Sequence, residues 1–198
     1  EKLMTQSNIR TCVFPVAGFG SRFLPATKAI PKEMLPVVDK PLIQYGVEEA
    51  AAAGLGQICF INGRQKQAIE NHFDRNFELE YGLRGTDKEA LLTDVNRLMD
   101  TCSFSSIRQV EAKGLGHAIG CSAPVVDQQP FAVILPDDLC VNPGGVPVLQ
   151  QMVELYERYR CSIVAIEEVP ADQVDKYGVI DGVEEAEGVY RVNAMVEK

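Results

Sequence analysis

The residues that could do chemistry cluster early in the chain. Ala17-Gly18-Phe19-Gly20-Ser21-Arg22 follows a short apolar run, and Lys28 and Pro31-Lys32-Glu33-Met34 come soon after. Glycines let backbone N–H groups approach a phosphate with no side chain between, and the cations supply the opposite charge. Arg22 offers a planar fork suited to phosphate oxygens, Lys32 a compact point charge. Together they suit a small anionic ligand, although such cations can equally solvate a surface loop. Two familiar phosphate loops do not fit. Phe23 stands where the dinucleotide fingerprint needs its third glycine, and the Gly-Lys-Ser/Thr of a Walker A loop is missing. Later, Leu135-Pro136-Asp137-Asp138 sets two carboxylates behind an apolar run. They could hold a hard cation or form an ordinary turn.

Composition narrows the classes. The chain has 198 residues with 19 Lys and Arg against 28 Asp and Glu, a formal charge of −9. A polyanion-binding surface, and hence a nucleic-acid partner, is not expected. The charge is uneven: residues 1–99 carry 12 basic and 12 acidic side chains, residues 100–198 carry 7 and 16. The first 41 residues carry six Lys and Arg against three Asp and Glu, so the locally basic segment is the one with the glycine loop. No apolar stretch reaches the ~18–20 residues of a membrane span, and residues 1–7 lack the apolar core of a signal peptide. A cytoplasmic protein with no membrane partner is expected. The six cysteines are scattered singly without a Cys-x-x-Cys pair, which reads as reduced, packed thiols. His72 and His117 are the only histidines and make no His-rich metal site.

The elements that must position these residues alternate in type. Apolar runs at 11–16, 57–62, 131–135 and 161–166 read as buried strands. Residues 41–54 have proline at a helix start and glycine past its end, and 90–99 and 149–156 carry apolar residues at helical spacing. Residues 177–180 and 189–192 read as extended segments joined by an acidic turn. The expectation is one α/β domain over 1–198, Rossmann-like, with a mostly parallel mixed sheet and helices on both faces. Residues 1–8 are expected to form a flexible N-terminus.

Gly18-Phe19-Gly20-Ser21-Arg22 joined to Pro31-Lys32-Glu33-Met34-Leu35-Pro36 resembles the paired signature of the sugar nucleotidyltransferases. Ser21 stands where the family more often has threonine and keeps the hydroxyl. Arg108-Gln109 with Gly114-Leu115-Gly116-His117-Ala118 resembles the base-reading segment of the members that use UTP. Leu135-Pro136-Asp137-Asp138 is similar to the family's metal-binding strand end, and Tyr177-Gly178-Val179-Ile180 and Val196-Glu197-Lys198 to its sugar-binding elements. The resemblance runs from about Ile9 to Lys198 in the expected order.

That resemblance implies a cytoplasmic, Mg²⁺-dependent enzyme of carbohydrate metabolism that joins UTP and glucose 1-phosphate into UDP-glucose and pyrophosphate. It also implies a homodimer or homotetramer. Arg22, Lys32 and Asp137 would be catalytic, with Asp137 the metal ligand. Ala17, Gly18, Gly20, Glu33, Gln109, Gly114 and Gly116 would bind the nucleotide. Asp138, Gly178, Glu197 and Lys198 would receive the sugar phosphate. The family pattern continues past the Glu-Lys motif with a second metal-binding aspartate and a helical element, so a truncated domain is expected. Two other readings are a non-catalytic sugar-nucleotide-binding regulator, against which Arg22, Lys32, Asp137 and Asp138 argue, and a thymidylyltransferase, against which Gly116-His117 argues.

Overall fold

In the computed structural model, which describes residues 8–196, the first apolar run forms strand β1 (Thr11–Pro15), buried from Thr11 to Phe14. Its continuous apolar character is what a parallel strand covered on both faces requires. The chain then makes 3-10 turns at Ser21–Phe23, Ala26–Lys28 and Lys32–Met34. A small antiparallel ribbon, β2 (Pro36–Val37) and β3 (Lys40–Pro41), leads into helix α1 (Leu42–Ala52). Pro41 caps α1 with extended backbone, and Gly54 ends the turn beyond it with φ +84°.

Strand β4 (Gln57–Asn62) is followed by α2 (Gln67–His72), α3 (Phe77–Leu83) and α4 (Thr93–Thr101). Next come β5 (Ser103–Arg108), α5 (Leu115–Gly120), α6 (Ala123–Val126), β6 (Phe131–Val133) and α7 (Val148–Tyr159). The sheet order is β5-β4-β1-β6, with every neighbour parallel. The chain builds outward from β1 through β4 to β5 and then returns to place β6 on β1's other side. This reversal makes the gap between β1 and β6 a topological switch point, where open α/β sheets bind ligands.

Alternation along the strands sorts two cores. Cys12, Phe14, Ile58 and Phe60 face α1, α2, α4 and α7 through Ile43, Val47, Ile69, Leu98 and Leu149. Val13, Cys59 and Ile61 face α5 and α6 through Ala118 and Val126. Helices thus cover both faces, as expected. Phe14, Phe60, Phe73 and Phe104 form a chain of ring contacts with centroids 4.9–6.1 Å apart across the first core. Glu49 of α1 accepts the Leu149 N–H in the first turn of α7 at 2.9 Å, fixing that helix start to α1.

Several expectations differ from what is observed. Among the described residues the four-stranded sheet is wholly parallel, and antiparallel pairing occurs in two-stranded ribbons. Residues 161–166 form no strand, and Val164 and Ile166 stay 52% and 46% exposed, without the burial that makes β-branched residues favour one. The helical pattern at 90–99 divides into a 3-10 turn over Asp87–Leu92 and the helix α4. Cys12 and Cys59 are buried, whereas Cys140 and Cys161 are exposed.

The chain divides into two compact units, Glu1–Ile163 and Val164–Lys198. The second unit holds a hairpin, β7 (Val179–Ala186) and β8 (Val189–Val196), turning at Gly188 with φ +70°. Glu184 and Glu185 lie within β7, so the acidic turn of the sequence reading is mostly strand. Of the N-terminal stretch 1–8, residues 1–7 lie outside the described residues; the Asn8 N–H donates to Glu157 Oε1 at 3.3 Å. Among the described residues, no helix is long and apolar enough to cross a membrane.

Candidate active site

The four parallel strands of the first unit all end on one edge, and the segments that follow them carry most of the candidate residues. After β1, the Val16 N–H donates to Ile61 O at 3.0 Å, extending the ladder before the glycine loop departs. Gly63, just past β4, closes against that loop: a Cβ there would lie 2.9 Å from Ala17 O. Close backbone approach thus holds Ala17 in place. Gly20 has φ +67°, the left-handed region that glycine tolerates, and a Cβ on it would meet Lys32 Cβ at 3.0 Å and Thr27 Cγ2 at 3.3 Å. The Thr27 hydroxyl donates to Gly20 O at 2.7 Å, pinning the loop from the following turn. Gly18 is different, exposed and with nothing within 4 Å of a Cβ position, so its freedom lies open to a ligand.

Lys32 and Asp137, 105 residues apart, meet across the switch point. Lys32 Nζ donates to Asp137 Oδ2 at 2.7 Å, with the two side chains 18% and 42% exposed. Partial burial pushes the Asp137 carboxyl up, but the hydrogen bond and charge of Lys32, with Arg22 adding to them, hold it below the usual carboxylate range. Because the folded-state value is the lower one, the carboxylate stays ionised at neutral pH. Its pair with Lys32 is lost only as pH falls through that depressed value. Arg22 itself is exposed. The structure therefore brings the glycine loop, Arg22, Lys32 and Asp137 to one place.

Glu33 sits differently from the expectation that it touches a nucleotide base. Its side chain is fully buried, and Oε2 accepts from Lys66 Nζ at 2.7 Å, the lysine being itself 7% exposed. Oε1 is buried without a partner. The pair ties the Lys32–Met34 turn to the start of α2 and so sets where Lys32 stands. No motif in the sequence pointed to Lys66, because an isolated lysine reads as surface until its burial is seen.

Gln109 continues β5, its N–H donating to Asn62 O at 2.8 Å, and its side chain is buried. The amide Nε2 lies 3.2 Å from Gly114 O and 2.9 Å from His117 Nδ1. Gly114 has φ +90° and precedes α5, whose exposed residues include Gly116 and His117. Asp138 is exposed, and its N–H donates to Leu135 O at 3.0 Å in the turn after β6. Gly178 lies in the second unit, exposed before β7. Glu197 and Lys198 lie outside the described residues.

Among the described residues, no group of three or more His, Cys, Asp or Glu side chains could hold a metal ion by itself. A cavity of about 550 Å³ runs beside β6 and α7, lined by Ile9, Phe131, Val133, Leu149, Val153 and Tyr156 among others. It has no charged lining residue, so it offers nothing to a polyphosphate.

Comparison with known proteins identifies the family. Residues 15–198 match the family model described as nucleotidyl transferase. The chain is 58% identical to a UTP–glucose-1-phosphate uridylyltransferase of Pseudomonas aeruginosa over 96% of its own length and 68% of the relative's. A crystal structure of apo UDP-glucose pyrophosphorylase superimposes with a TM-score of 0.93 at 53% identity, over 96% of this chain and 70% of the other. A UDP-glucose pyrophosphorylase complexed with UDP-glucose gives 0.88 at 50% identity, over 96% of this chain and 69% of the other. The chain belongs to the nucleotidyl transferase family.

Proposed function

We propose that the protein transfers the uridylyl group of UTP to glucose 1-phosphate, forming UDP-glucose and releasing pyrophosphate. In this reading a phosphate oxygen of glucose 1-phosphate attacks the α-phosphorus of UTP in line, and the bond from that phosphorus to the bridging oxygen of pyrophosphate breaks. The nucleophile is already an anion, so no general base is required. The barrier lies in bringing two polyanions together and in the charge gathering on the leaving group. Positioning and fixed positive charge answer both.

The observation that carries the proposal is the meeting of Lys32 with Asp137 at 2.7 Å beside Gly20. It stands in a chain 58% identical to a protein named for this reaction. Lys32 would face the α-phosphate and leaving group, and Arg22 the departing pyrophosphate. Backbone N–H groups at Ala17, Gly18 and Gly20 would cradle the triphosphate nucleotide, and Gln109 with the backbone at Gly114 and Gly116 would meet the uracil edge. Glu33 would act from beneath, through Lys66, by holding the turn that carries Lys32.

The donor set at the end of β6 fits Mg²⁺. Asp137 is ionised and Asp138 follows it, and Mg²⁺ takes one or two carboxylates with water and phosphate oxygens completing its shell. Bound there, the ion would supply positive charge against the phosphates. By the same reading Asp138, Gly178, Glu197 and Lys198 take the sugar phosphate, and the protein works in the cytoplasm as a homodimer or homotetramer. A screen of nucleoside triphosphates by pyrophosphate release tests the reaction. Release is expected from UTP only with glucose 1-phosphate and Mg²⁺ both present; equal release from dTTP would defeat the assignment.

A further inference from the structure

We propose that His117 is the positioning residue that locks the hydrogen-bonding polarity which the Gly114 carbonyl selects in Gln109, so that the site accepts uracil and refuses cytosine. The inference rests on the functional reading above. An amide nitrogen has two hydrogens. On Gln109 Nε2 one is directed to Gly114 O at 3.2 Å and the other to His117 Nδ1 at 2.9 Å. Turning the amide over would set Oε1 against the Gly114 carbonyl, acceptor facing acceptor, so Gly114 dictates which end of the amide faces inward. His117 then completes the arrangement only as a neutral ring with its lone pair on Nδ1 and its proton on Nε2.

With both hydrogens engaged, Oε1 is the amide's remaining polar end, an acceptor. Uracil presents N3–H, a donor that satisfies it. Cytosine presents a bare N3 lone pair, which would leave two acceptors in contact. Burial of Gln109, 8% exposed, keeps water from relieving that mismatch. Removing the His117 acceptor frees one Nε2 hydrogen and loosens the amide, so that the nitrogen becomes available to cytosine N3. His117 is exposed on α5, so the ring can be removed without opening the core.

The test uses the full-length protein, unmodified and as His117→Ala and His117→Phe, with UTP and CTP dissociation constants measured by calorimetry and melting temperatures recorded alongside. Phenylalanine keeps the ring's bulk and deletes the acceptor, which separates hydrogen bonding from packing. Both variants should lose about tenfold of the UTP-over-CTP preference, the range expected when a buried polar group can be re-paired, at unchanged melting temperature. A preference retained within about threefold in either variant overturns the proposal, as does a loss accompanied by a lowered melting temperature. If the unmodified protein shows no preference for UTP, the functional reading fails first, and the two failures are distinguished.

Discussion

Replacing Lys32 by methionine separates what that side chain does for the fold from what it does for the reaction. Methionine keeps the stem, whose Cβ lies 3.0 Å from the Cβ position of Gly20, and deletes only the charge. In the resting structure that charge sits 2.7 Å from Asp137, whose side chain is 42% exposed, so water screens the pair. Screened pairs of this kind contribute about 0.2–1 kcal/mol, or at most about 2–4 °C in melting temperature for a domain of this size. In the proposed reaction the ammonium would face charge developing on phosphate oxygens. Deleting one pre-organised stabiliser of that type costs roughly 10²–10³-fold, about 2.7–4 kcal/mol.

Steady-state pyrophosphate release and thermal unfolding of Lys32→Met should therefore disagree sharply, with a small shift in melting temperature and a large fall in kcat/KM. The pH profile gives a second readout. Burial pushes the Asp137 carboxyl up, and Lys32 supplies most of what opposes it. Without Lys32 the carboxyl titrates at higher pH, and the acid limb of the profile moves up with it. A variant with kcat/KM within about fivefold of the unmodified protein, or with an unmoved acid limb, would refute this account of the pair.

Four further variants test the supporting structure. Gly20→Ala forces a side chain into left-handed backbone already crowded by Lys32 and Thr27, and should cost about 1–2 kcal/mol in urea unfolding. Gly18→Ala meets nothing within 4 Å; it should leave stability alone and weaken UTP binding, and equal unfolding losses in the two variants would contradict the distinction. Lys66→Met leaves the fully buried Glu33 without its partner, for a loss of about 3–5 kcal/mol. The double variant Glu33→Gln with Lys66→Met should recover most of that loss, and a double variant as unstable as the single one would show the pair is not what stabilises the turn.

Much of this molecule is legible from residue order because parallel strands in an open sheet are apolar along their whole length. Residues 11–16 and 57–62 announce themselves in that way, and the glycine loop follows where the sheet ends. Strand β5 is harder to see. Its Ser-Phe-Ser-Ser-Ile-Arg run lies at the sheet edge with half its residues exposed, and two of its serines bond to neighbouring elements, Ser105 to Ile58 O at 3.2 Å and Ser106 to Glu70 at 2.6 Å. Residues 161–166 mislead in the opposite direction, since β-branched composition alone creates no partner strand. In the site, Gly20, Lys32 and Asp137 are readable from their motifs. The burial of Glu33 against Lys66 is a tertiary fact that no local pattern encodes, and the motif that joins Gln109 to His117 does not say which of their atoms meet.

In the proposed complex a triphosphate lies between the glycine loop and the Lys32–Asp137 pair, which a crystal structure of the full-length protein with UTP would display. Phosphate density is expected against the backbone of Gly18 and Gly20, with the α-phosphate within reach of Lys32 and the uracil edge at Gln109. Nucleotide bound elsewhere, with Lys32 still engaged only by Asp137, would contradict that placement.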